Sequence, residues 1–222
     1  MDKGLKFVTK LYNRMNKIDY IYYINLEHRT DRNDEFLLEM VKLGIPDDKF
    51  QRIEAVSVKG KGHLGCTASH IKTIETFLAS SFQTCLVCED DFSVCNPESF
   101  WKVVDETLQK IPDFDVFMVA HNIQDAVKTD FEEIKKLKKS YTSCGYILTR
   151  RFAPRLLENL KKGFILATEE ESRILRKTYY YCLDVYWSNL MKDSNWYAVV
   201  PALVKQRPSF SDIEGVFANH GV

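Results

Sequence analysis

Apolar residues along this chain gather in short runs that alternate with longer segments of helical period. Ile18–Leu26 is rich in Ile and Tyr and reads as a buried strand. A helix is expected to start near Thr30 or Asp31, whose short polar side chains are suited to cap it. Its apolar face would use Phe36, Leu37, Met40, Val41 and Leu43, with Gly44 as the C-cap. Phe50–Val56 reads as a second strand, followed by the flexible Lys59-Gly60-Lys61-Gly62 loop. From Gly65 a further helix carries Ile71, Ile74, Phe77 and Leu78, and the strand Thr84–Cys88 follows it.

The next helix has the clearest period. Asn96 is placed to cap it, Pro97 suits the first position, and Phe100, Val103, Val104, Thr107, Leu108 and Ile111 line one face. Strands are then expected at Asp115–Ala120, Tyr141–Leu148 and Trp196–Val200, with helices at Arg151–Leu160, ending at Gly163, and at Tyr179–Met191. The polar stretch Asn122–Ser140, with Lys135, Lys136, Lys138 and Lys139, reads as a solvated helix face or loop; the alternative is a flap over an anionic substrate. Strands alternating with helices imply an α/β fold with a mostly parallel central sheet and helices on both faces. No internal repeat or domain linker is evident, so residues 1–222 read as a single domain with its core at about 18–213.

Composition narrows the function classes. The 222 residues are 45% hydrophobic and 28% charged, ordinary for a globular protein. Thirty-one basic residues balance 31 acidic ones, which gives no electrostatic case for nucleic acid or an anionic membrane. No apolar run reaches the roughly 18 residues of a membrane span. The stretch Met1–Lys6 leads into polar sequence without the apolar core of a signal peptide, so the expected location is cytoplasmic. The six scattered cysteines read as buried free thiols, and the Cys85/Cys88 pair, three apart in a strand, would face opposite ways.

One cluster changes this bland picture. Glu89-Asp90-Asp91 ends the apolar strand at Thr84–Cys88. Adjacent buried carboxylates raise one another's pKa unless a cation or hydrogen-bond donors compensate, and a divalent metal carrying phosphates is a common compensation. Ligands of parallel α/β sheets bind at the C-terminal strand ends. There Asn25, Leu26, Arg29 and Arg32 would join the three acids, a combination that fits a nucleoside diphosphate held through a metal.

Several segments, in order, resemble glycosyltransferase family 25, the group containing lipopolysaccharide glycosyltransferases and collagen galactosyltransferases. They are Tyr23-Ile24-Asn25-Leu26 with Arg29, Asp31 and Arg32; Gly65-Cys66 with Ser69-His70; and Leu86-Val87-Cys88-Glu89-Asp90-Asp91. Ser143-x-Gly145-Tyr146 with Leu148, then Asp184, and Pro201, Gln206 and Ser211-Asp212-Ile213 continue the series. The resemblance implies a GT-A-like, single Rossmann-type domain that uses Mn²⁺ or Mg²⁺. It implies transfer of a hexose, with inversion, from UDP-glucose or UDP-galactose to a hydroxyl of a glycan or protein acceptor.

On that reading Asp91 and Glu89 hold the metal, with His220 as a further candidate ligand. Asn25, Leu26, Arg29, Arg32, Ser69, His70, Glu89 and Asp90 contact the nucleotide sugar. His70 has a second reading, a hydrogen-bonded core histidine. Asp184 is the candidate base and Asp212 the runner-up. Tyr179-Tyr180-Tyr181, Trp187 and Trp196 either line a sugar platform or pack in the core. Competing classes are a non-catalytic nucleotide-sugar or glycan-binding module and a sugar nucleotidyltransferase. The latter calls for a Gly-rich loop after the first strand, where this chain has Glu27-His28-Arg29.

Overall fold

The computed structural model describes residue 15 and residues 17–171, 180–211 and 216–219. Asp212, His220 and Tyr179 lie outside the described residues. In chain order the elements are β1 (Tyr20–Asn25), α1 (Thr30–Leu43), β2 (Phe50–Glu54), α2 (Gly62–Ala79), β3 (Thr84–Glu89) and β4 (Phe92–Val94). There follow α3 (Phe100–Lys110), β5 (Val116–Met118), β6 (Asn122–Lys128), β7 (Ile134–Tyr141), β8 (Gly145–Thr149) and α4 (Ala153–Glu171). The last are α5 (Leu183–Tyr186), α6 (Ser188–Met191), β9 (Trp196–Val199), β10 (Val204–Gln206), β11 (Ser209–Ser211) and β12 (Val216–Ala218).

Side chains of β1 and β3 alternate between two cores, as the period of two demands. Ile21, Tyr23, Leu86 and Cys88 face one core, with Phe36 and Met40 of α1 and Phe100 and Val104 of α3. Tyr22, Ile24, Cys85 and Val87 face the other, with Ile74 and Phe77 of α2 and Leu156 and Leu160 of α4. The expected α/β architecture with helices on both faces is therefore present. Cys85 and Cys88 do face opposite ways, and both are free.

The eight-stranded sheet has the order β2-β1-β3-β8-β5-β9-β7-β6. β1, β2, β3, β5, β6 and β9 run one way, and only β7 and β8 run the other. The sheet is mostly parallel in strand direction, but β8 inserts antiparallel between β3 and β5. This insertion sets residues 142–144, which lead into β8, beside the C-terminal end of β3. Glu89 N accordingly donates to Cys144 O at 3.0 Å.

Several local expectations need correction. Asn122–Ser140 is neither helix nor loop: it holds β6 and most of β7, an edge hairpin. Buried Ile134, Leu137 and Ser140 recur every three residues, which mimics a helix face; β-bulge irregularities in the pairing break the alternation. Tyr141–Leu148 is split, because Thr142 adopts φ 81° and ends β7 before β8 begins. α4 runs through Gly163, whose missing Cβ leaves room for the Tyr186 ring; a Cβ there would stand 2.8 Å from Cδ1. α1 starts and stops as expected, with Gly44 left-handed at φ 68°, yet no side chain caps its N-terminus. α2 begins at Gly62, three residues early. Trp187 and Trp196 are fully buried and pack edge-on at 5.2 Å, so both belong to the core and not to a surface platform. Among the described residues no helix is long and apolar enough to cross a membrane.

Arg150, at the end of β8, closes α2. Its guanidinium donates to the carbonyls of Phe77 (3.3 Å), Leu78 (2.8 Å), Ser80 (2.9 Å) and Phe82 (3.1 Å). Phe77, Leu78 and Ser80 lie at the end of α2, where a helix leaves carbonyls without intrahelical partners, and Phe82 lies in the connection to β3. Arg150→Ala is expected to lower stability by about 2–3 kcal/mol, the scale of charge-assisted bonds left unmade. Urea unfolding should show an earlier midpoint at unchanged slope.

Candidate functional site

A cleft of about 300 Å³ opens over the C-terminal ends of β1, β2 and β3. Its walls come from Ile24–Leu26, the loop Ala55–Gly60, the start of α2, Glu89–Asp91, and Gln206, Arg207 and Ser209 of the returning tail. The cleft thus lies at the C-terminal strand ends, where ligands of such sheets commonly bind.

Gly65, Ser69 and His70 each have a distinct physical task on α2. A Cβ on Gly65 would lie 2.5 Å from Val56 O, so only glycine lets α2 approach the loop after β2. Ser69 Oγ donates to Gly65 O at 2.7 Å and accepts from Val56 N at 2.8 Å, which fixes that loop against the helix. His70 is fully buried; Nδ1 meets Tyr146 Oη at 2.9 Å and Nε2 meets Glu89 Oε1 at 3.2 Å. His70 therefore lines the cleft and is at the same time a hydrogen-bonded core histidine.

The three acids do not share one environment. Burial raises the Glu89 carboxyl, but His70 and the Ser143 hydroxyl, which donates a short hydrogen bond, reverse this and hold it below its ordinary value. Asp90 is buried between Asn25 Nδ2 (2.8 Å to Oδ2) and Arg32 (2.8 Å to Oδ1); its burial still wins and its pKa is raised. Asp91 is pushed up to about 7 by burial first, then by Glu89 and Asp90. Gln206 Nε2 donates to its Oδ2 at 3.3 Å. Its Oδ1 is buried with no hydrogen-bond partner among the described residues. Asp91 is the uncompensated member of the set.

Arg29 and Arg32 point to the tail as well as to the acids. Arg29 grips Asp31 with two bonds, at 2.9 and 2.8 Å, which holds the Asp31 carboxyl down to about 2. Arg29 also donates to Phe210 O at 3.0 Å, and Arg32 donates to Ser209 Oγ at 2.5 Å and Phe210 O at 3.1 Å. Asn25 Nδ2 is used twice, on Arg29 O and Asp90, while its buried Oδ1 has no partner among the described residues. Leu26 lines the cleft.

Asp184 sits on α5, outside the cleft lining but close enough to Glu89 and His70 for their charges to act on it. Burial raises its pKa, and Thr142 N donates to its Oδ2 at 3.0 Å. Among these positions, Ser143 opens the Ser-x-Gly-Tyr segment without a role that the sequence assigns it, and Cys144 carries no pattern of its own. Only the antiparallel placement of β8 brings them to the acids. Tyr146 sits in a recognisable Gly-Tyr strand, but its bond to His70 is a tertiary fact.

The cleft thus joins a rim of ordered asparagine and arginine side chains to a carboxylate short of positive charge, with the further buried acid Asp184 nearby. Residues 60–169 match the family model of glycosyltransferase family 25 (LPS biosynthesis protein). The family 25 match supports a glycosyl-transfer role with a sugar donor and an acceptor. It takes in α2, the acidic triplet and Ser143–Tyr146, while Asn25, Arg29, Arg32 and Asp184 lie beyond it. A comparison with curated proteins gives no match. Solved structures similar to this chain include A197 from STIV (12% identity, 91% of this chain and 95% of that chain, TM-score 0.48). Others are a glycosyltransferase involved in glycosylation of the major capsid of PBCV-1 (13%, 82% and 92%, TM-score 0.41) and mannose-1-phosphate geranyltransferase from Thermus thermophilus (8%, 82% and 73%, TM-score 0.48). None of these likenesses assigns a residue or a substrate to this chain.

The raised pKa of Asp91 has a consequence for stability. A carboxyl with a folded pKa of about 7 against an ordinary 3.8 contributes stability that is present below about 4 and lost as pH rises through 7. Asp91→Asn removes the buried charge and keeps an acceptor for Gln206. In EDTA the variant should unfold at a higher temperature than the wild type at pH 8 and at nearly the same temperature at pH 4.

Proposed function

We propose that the chain transfers a hexose from a UDP-sugar to an acceptor hydroxyl, with inversion, in a reaction that depends on a divalent cation. The observation that carries this reading is the buried, unpartnered Asp91 Oδ1 in a carboxylate triplet that faces one nearby guanidinium, Arg32. Three carboxylates against one arginine leave a local charge deficit that a divalent cation offsets, so the residues present fit such an ion. Asp91 would hold Mn²⁺ or Mg²⁺, with Glu89 as the second protein contact. When bound, the ion would neutralise charge on the diphosphate leaving group.

The chain's own residues would do the rest. Asn25 would offer its free Oδ1 to a donor on the nucleotide, and the Ala55–Gly60 loop, fixed by Ser69, would shape the wall beside it. Asp90 and Arg32 would keep the triplet and the tail in register around the bound donor. Asp184, with its raised pKa, would take the acceptor hydroxyl's proton as that oxygen attacks opposite the leaving group. Asp212, as runner-up for this role, remains a proposal from the sequence alone.

Calorimetric titration of UDP, UDP-glucose and UDP-galactose, with Mn²⁺ and with EDTA, tests the donor. Binding is expected only with the metal, and Asp91→Asn should abolish it in a folded protein. Binding of equal strength in EDTA would overturn the metal's role. Asp184→Asn keeps an acceptor for Thr142 N–H, so donor binding should persist. Transfer should fall by about 10²–10⁴-fold, the usual worth of a general base; an active variant would remove Asp184 from that role.

A further inference from the structure

The inner wall of the cleft carries donor atoms of a different character from the acidic triplet. Cys66 and His70 lie four residues apart on α2 and so share one face of the helix. Glu89 meets them from the end of β3. One ligand atom from each of the three lies within 4.8 Å of the other two. The His70 Nε2 to Glu89 Oε1 separation is 3.2 Å. A tetrahedral zinc ion with Zn–N and Zn–O bonds of about 2.0 Å spaces its nitrogen and oxygen ligands about 3.3 Å apart. That edge of the triangle is already at ligand spacing.

The surroundings of these side chains are those of a metal site. His70 Nδ1 faces Tyr146 Oη at 2.9 Å, so the proton can rest on Nδ1 and leave the Nε2 lone pair for an ion. Ser143 orients Glu89 by donating to Oε1. Cys66, His70 and Glu89 all line the cleft, which provides both entry and an open fourth position. Thiolate, imidazole and carboxylate together suit zinc or a similar borderline ion better than Mg²⁺ or Mn²⁺.

We propose that Cys66, His70 and Glu89 form a three-ligand site for a thiophilic divalent cation, zinc foremost, with its fourth position open to the cleft. The site does not use Asp91 and does not require the nucleotide sugar proposed above, although it shares one ligand with the cation site proposed there. Glu89 is common to both, so a thiophilic ion held here draws Glu89 away from Asp91.

The full chain, stripped of metal and kept reduced with a phosphine, is titrated with Co²⁺. One equivalent should produce a near-ultraviolet thiolate-to-cobalt charge-transfer band and intense visible bands of tetrahedral cobalt, and Zn²⁺ should erase both. Asp91→Asn, and Cys95→Ser at the exposed cysteine, should give the same spectra. Cys66→Ser, with unchanged circular dichroism, should lose the charge-transfer band and bind more than about tenfold more weakly. Glu89→Gln gives a second measurement should Cys66→Ser not fold: weaker binding by a similar factor, with the band retained at saturation. Absence of the band in the wild type, its persistence in Cys66→Ser, its loss in Asp91→Asn, or unchanged affinity in Glu89→Gln would overturn the proposal.

Discussion

The Arg32–Asp90 ion pair, at 2.8 Å and largely buried, is the contact around which the rim is organised. Asp90 takes Asn25 on its other oxygen, so one carboxylate joins the end of β1 to the end of β3. Arg32, one turn into α1, reaches the same carboxylate and then Ser209 and Phe210 of the tail. Arg207 strengthens the closure by donating to Glu35 and Glu39 of α1, each at 3.1 Å, and through its backbone to Asp91 O at 2.7 Å. Removing one partner of a buried pair costs about 3–5 kcal/mol, because the remaining charge has no water to return to. The tail therefore folds over the cleft through charge and hydrogen bonding more than through apolar packing. Phe210 and Phe217 of the hairpin stay exposed.

Asp90 is consumed by this structural role, and its neighbours are freed for chemistry in opposite directions. Glu89 is held as a carboxylate by a buried histidine and a hydroxyl, so its charge is present at neutral pH. Asp91 has no comparable donors and gains a proton near pH 7. Consecutive residues at a strand end cannot all point the same way, and each of the three carboxylates meets a different set of partners. A metal at Asp91 would find one carboxylate already charged and another that it must itself ionise. That predicts a pH threshold for metal binding near neutrality, a property of the arrangement and not of any single acid.

Much of this was legible in the sequence, and the failures have physical causes. The strands β1, β3 and β9 announce themselves as short continuous apolar runs, since both faces are buried, and the helices α1 and α3 by their helical period. The triplet is legible because three carboxylates after an apolar run are hard to place otherwise. Asn122–Ser140 misleads because its buried positions Ile134, Leu137 and Ser140 fall three apart with lysines between them, and bulges interrupt the pairing. The ammonium groups of Lys136 and Lys139 lie 5.8 Å and 5.4 Å from the ring centroids of Tyr197 and Tyr141, so lysines that read as a solvated face stand against aromatic rings of the sheet. Gly163 misleads for the opposite reason. A glycine after a helical run reads as a stop, but here the missing side chain serves a packing contact with a residue 23 positions later, Tyr186. The Ser143 contact with Glu89 and the place of Cys144 are illegible because they depend on the direction of β8, although Ser143 itself stands in the Ser-x-Gly-Tyr segment.

That reversed strand also explains why the second acid stands where it does. A parallel β8 would begin at the opposite rim and leave Glu89 beside solvent. Running antiparallel, β8 begins at the cleft, and the turn before it must fold tightly enough to bring Ser143 onto Glu89. Thr142 achieves this with φ 81°, a conformation that costs a β-branched residue of the order of 1–3 kcal/mol. Asp184 offsets part of that cost by accepting the Thr142 N–H. The same carboxylate is thereby held within electrostatic reach of Glu89 and His70, and its raised pKa follows from burial in that position. The strained turn and the buried acid are one arrangement: the hydrogen bond from the Thr142 N–H steadies the turn and fixes the Asp184 carboxylate at once.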